Sequence, residues 1–136
     1  MKWELVHTVH GYYDAPRFGI ADLNGVPHIY ESPFDDETDD YSDIYKLSPI
    51  DSELMALVMK DWVLWEKWES AFYNGLAVRE SHSCLPEDRN EHERLMERIG
   101  DRFKINESNC IFRKAEFRAV SKRPRRLLVK WAEYGV

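Results

Sequence analysis

Four polar side chains have residue types that a small-molecule site could use. Asp14 and Arg17 lie in the segment GYYDAPR, His28 lies in VPHIYE, and Asp61 directly precedes the tryptophan-rich segment WVLWEKWESAF. A guanidinium group binds anions, whereas an imidazole or a carboxylate can transfer a proton. One hypothesis is therefore an aromatic-lined pocket in which Arg17 holds an anionic group and His28 or Asp61 moves a proton. The simpler interpretation is that these side chains brace the fold.

Asp61 stands out because of its place in the helix that we predict around it. At 100° per residue it projects into an apolar stripe, between two aliphatic residues and Trp65. A carboxylate in such a stripe costs several kcal/mol unless it is paired or protonated. Two interpretations are open. Asp61 is either a functional carboxylate or one half of a structural ion pair, for which Arg17, His28 or a C-terminal arginine would serve.

Aromatic residues at helical spacing accompany Asp61. Trp62, Trp65 and Trp68 could line a pocket, because an indole ring stacks on flat ligands. Tryptophans at this spacing are more often part of a core, and core packing is the interpretation that we favour. His92, on the apolar stripe of a second predicted helix, is likewise expected to be a hydrogen-bonded core histidine.

The common catalytic and metal-binding motifs are missing. The chain contains no GxxxxGK, GxGxxG, GxSxG or HExxH pattern. His7 and His10 are three residues apart, so in a regular strand they point to opposite faces and cannot hold one ion together. Residues 31–43 carry seven acids and no base, but they lack the glycine and glutamate that a calcium loop needs. We therefore predict no metal and no cofactor, and favour a protein without enzymatic activity.

The charge is distributed unevenly along the chain. Residues 1–106 hold 11 Lys and Arg against 22 Asp and Glu, whereas residues 107–136 hold 8 against 3. The basic loop SKRPRR in the second part supplies four candidate surface cations: Lys122, Arg123, Arg125 and Arg126. These side chains could contact phosphates. The acidic remainder and the lack of a nucleic-acid-binding signature make nucleic acid an unfavoured partner.

Length and composition indicate the class of protein. At 136 residues the chain is most simply one domain, and no apolar run approaches the roughly 18 residues of a membrane span. The segment MKWELVHTVH has no signal-peptide core, and the two cysteines, Cys84 and Cys110, lie in different segments. We therefore expect two free thiols, a reducing cytoplasm and no membrane partner.

Local patterns predict the strands of the sheet. Residues 3–9 have strand-type composition, with Trp3, Leu5, His7 and Val9 on one face. Asn24-Gly25 joins two further runs and is typical of a type I′ hairpin turn. Because Pro27 cannot donate to a ladder, the second of these strands should lie at an edge or begin there. DIYKLS predicts one more short strand.

The rest of the chain predicts two helices and a final hairpin. A first helix should open at Ser48-Pro49, run to about Tyr73 and stop at Asn74-Gly75, and a second should run from about Pro86 to Lys104. CIFRKAEFRAV and LLVKWAEY flank SKRPRR and predict a hairpin, with a bend between Phe112 and Ala115.

Strands, two helices and then strands are typical of an α+β fold. We predict a single α+β domain over residues 1–136. Its curled antiparallel β-sheet should combine the N-terminal strands with the C-terminal hairpin and be packed by two α-helices.

Several of these segments also carry a resemblance. The shared spacing YYD-x-PR-x-GIAD, then G-x-PH, then tryptophans ahead of an Ala-Phe pair resembles a group of small uncharacterised bacterial proteins. The likeness runs from about Trp3 to about residue 100, while the basic C-terminal hairpin departs from it. The resemblance implies a bacterial cytoplasmic protein, and it implies no activity and no catalytic residues.

The leading functional hypothesis is a small cytoplasmic protein-binding or accessory domain without chemistry of its own, which binds a protein partner or forms a homo-oligomer. The uneven charge, the many aromatic residues and the missing motifs support it. A small-molecule binder or unrecognised enzyme that uses Arg17, His28 and Asp61 is the alternative. Nucleic-acid contact through the C-terminal hairpin is the second alternative.

Overall fold

The structure is a computed structural model, and it describes residues 2–134. The chain divides into two compact units. The β unit comprises the residues up to Ile50 and those from Lys104 onward, and the helical unit comprises Asp51–Phe103. No helix in residues 2–134 is long and apolar enough to cross a membrane.

Within residues 2–134, the β unit contains eight strands. They are β1 (Glu4–Tyr12), β2 (Pro16–Leu23), β3 (Val26–Glu31), β4 (Phe34–Asp35), β5 (Asp40–Tyr41), β6 (Ile44–Pro49), β7 (Ile111–Lys122) and β8 (Arg125–Ala132). Six of them form a closed antiparallel sheet in the order β1-β2-β3-β6-β7-β8, while β4 and β5 pair only with each other. Closure comes from β8, which pairs with β1. The predicted α+β class, the curled antiparallel sheet and the union of the final hairpin with the N-terminal strands are confirmed.

The turn between β2 and β3 is the predicted hairpin. Asn24 and Gly25 have φ values of 54° and 77°, the left-handed conformation that a type I′ turn needs at both central residues. A third residue stabilises the turn, because the two carboxylate oxygens of Glu4 accept the backbone N–H groups of Asn24 and Gly25, at 2.9 and 2.8 Å. The strand that contains Pro27 begins one residue earlier, at Val26, as predicted.

Aromatic rings fill the interior of the closed sheet. Tyr30, Tyr45, Phe117 and Trp131 contact one another with ring centroids 5.7 to 6.3 Å apart. The polar atoms of these rings are satisfied by backbone carbonyls. The hydroxyl of Tyr30 donates to Thr8 over 2.9 Å, that of Tyr45 to Pro16 over 2.6 Å, and the indole N–H of Trp131 to Asp22 over 2.9 Å.

The interior side of β1 is not its apolar side. Glu4 and Thr8 are buried, whereas Leu5 is 56% exposed. This arrangement follows from the bonds that the polar residues make: Glu4 binds the hairpin turn, and the hydroxyl of Thr8 accepts the backbone N–H of Ile20. Trp3 and Leu5 are consequently free to face outward.

The predicted bend in β7 is misplaced. The register irregularity lies between Ala119 and Ser121, whereas the pairing with β8 is regular from Lys114 to Ala119. Sequence reasoning failed here because Phe112 is an outward, exposed residue. A pattern that assigns every apolar residue to the core therefore finds a change of phase that does not exist.

The helical unit contains α1 (Ser52–Tyr73) and α2 (Arg89–Ile99). The predicted start of α1 is wrong, since Ser48 and Pro49 belong to β6 and Asp51 caps the helix by accepting the backbone N–H of Leu54 at 2.8 Å. Its predicted end at Tyr73 is confirmed.

The second helix is shorter than predicted at both ends. Pro86–Asp88 forms a turn of 3₁₀ helix rather than the start of α2. The helix ends at Gly100, whose positive φ of 58° turns the chain and whose N–H donates to the carbonyl of Met96.

Candidate functional site

Arg17, on β2, is held by groups of the β unit. Its Nε donates to the carbonyl of Tyr13 at 2.9 Å and its Nη1 to the hydroxyl of Ser32 at 3.2 Å. The guanidinium carbon lies 5.0 Å from the centre of the Tyr41 ring. Neighbouring Asp14 is exposed in the loop between β1 and β2, with a φ of 63°. The contacts of Arg17 are those of a residue that ties a loop to its sheet.

His28, on β3, is buried in the β unit. Its Nδ1 lies 2.7 Å from the carbonyl oxygen of Val26, and because a carbonyl can only accept, Nδ1 carries the proton. His28 pairs in register with Ala21 on one side and Pro49 on the other. One ring nitrogen is thereby committed to a local backbone bond.

Asp61, on α1, has its partner within the helical unit. Its Oδ1 lies 2.5 Å from Nδ1 of His92, on α2, and the two side chains are only 14% and 17% exposed. We expected Arg17, His28 or a C-terminal arginine to pair with Asp61. The partner is His92 instead. Sequence reasoning placed His92 on an apolar stripe but could not connect two residues on separate helices.

The four candidate polar residues thus belong to different units. Arg17, His28 and Asp14 lie in the β unit and Asp61 in the helical unit. The side-chain hydrogen bonds described above all lie within one unit: those of Arg17 and His28 in the β unit, and that of Asp61 in the helical unit. A pocket common to the four remains a hypothesis.

The tryptophans of α1 are largely inside the helical unit. Trp62 and Trp68 are buried, and Trp62 stacks on half-buried Trp65 with ring centroids 4.5 Å apart. The indole N–H of Trp68 donates to the hydroxyl of Ser81 at 2.8 Å, and the ring of His82 meets Trp68 edge-on at 4.7 Å. These contacts are those of core side chains, and a role as pocket lining stays a hypothesis.

The thiol of Cys84 lies near Asp61 in the helical unit without forming a nucleophilic site. Burial raises the pKa of the Cys84 thiol, and Arg89 opposes that shift while Asp88, Asp61 and Glu93 add to it. The side chain is fully buried. A buried, protonated thiol is inert, so this neighbourhood lacks the thiolate that nucleophilic catalysis requires. Within residues 2–134, no three His, Cys, Asp or Glu side chains are grouped as metal ligands.

The predicted basic surface lies at the turn between β7 and β8. Lys122, Arg123, Arg125 and Arg126 are all exposed. Lys122 and Arg125 are register partners, and the guanidinium carbon of Arg125 lies 4.2 Å from the centre of the Tyr12 ring. A cation is therefore paired with an aromatic ring at this turn.

A second group of cations and apolar side chains lies on the outer face of the sheet, where β1, β7 and β8 are neighbours. Phe117 and Val129 are register partners inside the sheet, so the alternating neighbours Arg118, Leu128 and Lys130 face outward. Leu128 pairs with Leu5 of β1, which therefore faces outward too. We call the surface formed by Trp3, Leu5, Arg118, Leu128 and Lys130 the Trp3 face.

Two cations of the Trp3 face contact the same indole ring. The guanidinium carbon of Arg118 lies 4.8 Å, and the Nζ of Lys130 4.6 Å, from the centre of the Trp3 ring. Neither cation forms an ion pair with any other residue in the range 2–134. The sequence does not reveal this cluster, because only the closure of β8 onto β1 brings Trp3 to the two bases.

The Trp3 face places cations and exposed apolar side chains side by side, so it can contact anionic and apolar groups together. Comparisons with known proteins add no analogy, since the chain matches no protein-family model, no curated protein and no solved structure.

Proposed function

We propose that this chain is a small protein-binding accessory domain without chemistry of its own, and that the Trp3 face binds an acidic segment of its partner. The observation that carries the proposal is the contact of both Arg118 and Lys130 with the Trp3 ring. A cation over an aromatic ring is held in place while its N–H groups stay available. Two such cations are prepared to receive carboxylates.

The Trp3 face also offers apolar contact beside its charges. Arg118, Leu128 and Leu5 are consecutive register partners across three strands, a span of about 10 Å at the usual spacing of neighbouring strands. Leu5 is more than half exposed. An extended segment that crosses these strands would place carboxylates near the cations and an apolar side chain on the leucines.

An acidic polypeptide is favoured over a nucleic acid by the charge of the surroundings. Glu116 is the register partner of Lys130 and is exposed, so the cations share their strands with an acid. The acid excess in residues 1–106 repels a continuous phosphate backbone. A short peptide needs to approach only the Trp3 face itself.

The closed sheet supports binding through side chains rather than through strand addition. Each of the six strands has a paired neighbour on both sides, which leaves less unpaired strand edge for a partner than an open sheet would have. We place the protein in the cytoplasm, because Cys84 and Cys110 are both free thiols.

Small-molecule binding through Arg17, His28 and Asp61 is the weaker proposal. The hydrogen bonds of Arg17 go to Tyr13, Ser32 and Tyr45, and Asp61 is bonded to His92. These contacts give both residues a structural role, which makes this the weaker proposal.

The test is a fluorescence-anisotropy titration with a labelled synthetic peptide of Asp, Glu and Leu residues at low salt. A peptide with Asn and Gln in place of the acids is the charge control. In the variant Arg118→Gln/Lys130→Gln we expect affinity for the acidic peptide to fall about tenfold, the loss of about 1.4 kcal/mol that two exposed ionic contacts can supply. The double variant Lys60→Gln/Arg98→Gln removes the same charge from the helical unit and should bind as the parent does.

Four outcomes would overturn the proposal. The first is that the parent chain does not bind the acidic peptide. The second is that both double variants lose the same amount of affinity. Alternatively, a single-stranded oligonucleotide would bind more tightly than the peptide and with the same dependence on Arg118 and Lys130, which would assign the Trp3 face to nucleic acid. Concentration-dependent self-association that Arg118→Gln/Lys130→Gln abolishes would replace the foreign partner with a second copy of the chain.

A further inference from the structure

We propose a small-molecule site in a cavity at one end of the closed sheet, with organic monocarboxylates that carry a flat apolar body as its ligands. The cavity has a volume of about 760 Å³ and lies where β1 begins and β2 and β8 end. This volume lies within the range of about 300–1,000 Å³ that is typical of ligand pockets. The site is separate from the Trp3 face, so each proposal can fail without the other.

Trp131 and Leu23 supply the apolar part of the lining. Trp131 belongs to the aromatic core of the β unit, so the cavity reaches from solvent to that core. Its indole N–H already donates to the backbone carbonyl of Asp22. Trp131 therefore offers a ligand only apolar ring surface, which suits a flat hydrocarbon body.

Arg113 supplies the polar anchor. It is the register partner of Tyr45, a residue of the core, and so lies on the inner face of β7. Its Nη1 donates to the carbonyl of Phe112 at 2.8 Å, and it forms no ion pair among the residues that the structure describes. The planar N–H groups that remain match the two oxygens of a carboxylate.

The charged residues of the lining favour a ligand with one negative charge over a ligand with two. Glu4 also lines the cavity, but both of its oxygens are bonded to the turn between β2 and β3. Lys2 and Glu133 contribute one charge of each sign. The lining thus holds two cations, Lys2 and Arg113, and two glutamates, and its formal charges sum to zero. Arg113, which has no ion-pair partner among the described residues, can bind one carboxylate, whereas the two glutamates repel a dianion such as a phosphate monoester.

The test is an NMR titration of the full chain with sodium benzoate, followed at the indole N–H of Trp131 and the amide of Gly25. Benzamide, which has the same ring and no charge, is the matched probe. We expect saturable shifts at both signals with benzoate, and affinity about tenfold weaker for benzamide. Arg113→Gln should weaken benzoate binding to the same degree.

The matched control is Lys114→Gln. Lys114 is the next residue of β7, is exposed and faces outward, so its loss removes the same charge from the opposite face. This variant should bind benzoate as the parent chain does. If Arg113→Gln fails to fold, Arg113→Lys keeps the charge without the planar fork and is expected to bind more weakly than the parent.

Several results would contradict this proposal. Absence of saturable shifts at Trp131 up to the solubility limit of benzoate would show a cavity that binds only water. Equal affinity for benzoate and benzamide, or parent-like binding by Arg113→Gln or Arg113→Lys, would remove Arg113 as the anchor. Shifts confined to the Trp3 face would show that benzoate binds there and not in the cavity.

Discussion

Nδ1 of His92 and Oδ1 of Asp61 are 2.5 Å apart, and this contact joins α1 to α2. It accounts for a carboxylate that projects into an apolar stripe, because both side chains are mostly shielded from water and each satisfies the other. The structural interpretation of Asp61 therefore has a specific partner.

We expect the Asp61–His92 contact to stabilise the helical unit. Asp61→Ala leaves the imidazole without its acceptor and should lower the free energy of unfolding by about 2 kcal/mol. A double-mutant cycle with His92→Ala, measured by urea unfolding, should give a coupling energy of about 1–2 kcal/mol. Asp61→Asn is the control, since its amide oxygen can still accept from Nδ1. Additive effects of the two alanine variants would contradict the contact.

Glu4 should be essential for the turn between β2 and β3. Glu4→Ala leaves the N–H groups of Asn24 and Gly25 without their charged acceptor, and we expect a loss of about 2 kcal/mol in the free energy of unfolding. Urea unfolding measures this loss. The control is Glu116→Ala at an exposed position of β7, where a change within about 0.5 kcal/mol is expected. An equal effect of both substitutions would show that charge, rather than the turn contact, determines stability.

Local signals predicted the parts of the fold that local physics determines. Asn24-Gly25 defines its hairpin because both residues tolerate positive φ, and Gly75 beyond Tyr73 marks the end of α1 for the same reason. The start of α1 was missed because Ser48 and Pro49 suit a helix start equally well. In the folded chain they extend β6 beside β3, a pairing between distant residues that no local pattern contains.

The candidate sites depended even more on distant contacts. Asp61 was recognised as a residue that needs a partner, but His92 is 31 positions away and the sequence gives no register between two helices. Trp3 meets Lys130 only because the sheet closes. Glu4 binds a turn about 20 positions further along the chain, so no local pattern marks it. In each case the contact joins residues that lie far apart in the sequence, so the sequence alone could not show it.

Gly19, on β2, lies directly against the backbone of Thr8 on β1 and the hydroxyl of Tyr30. A Cβ atom at this position would collide with the carbonyl oxygen of Thr8 and lie 2.7 Å from the Tyr30 hydroxyl, which are the two groups of a buried hydrogen bond. Gly19→Ala should therefore cost about 2–3 kcal/mol in the free energy of unfolding. Gly11→Ala is the control, because its Cβ would meet Phe18 at an ordinary 3.5 Å. Equal stability of the two variants in urea would refute the collision.

The two buried phenols of the core should make the protein sensitive to alkali. Burial raises the pKa of Tyr30 well above its ordinary value of 10.0, and burial also raises the pKa of Tyr45, against the opposing charge of Arg17. In the unfolded chain both hydroxyls ionise near pH 10.0, whereas the folded chain retains both protons to higher pH. Their stabilising contribution is thus complete below about pH 10 and is lost as the pH rises from there towards the folded-state pKa values.

The expected slope follows from that difference in bound protons. Above about pH 10, each of the two tyrosines should lower the free energy of unfolding by about 1.4 kcal/mol per pH unit. Urea unfolding at a series of alkaline pH values measures the slope, and Tyr30→Phe and Tyr45→Phe should each reduce it by that amount. Tyr13→Phe, at an exposed position, should leave the slope unchanged. The slope, rather than the absolute stability, is the decisive quantity, because Tyr30→Phe also removes the bond to Thr8 at every pH. If the double variant Tyr30→Phe/Tyr45→Phe keeps the full slope, other groups cause the alkaline unfolding.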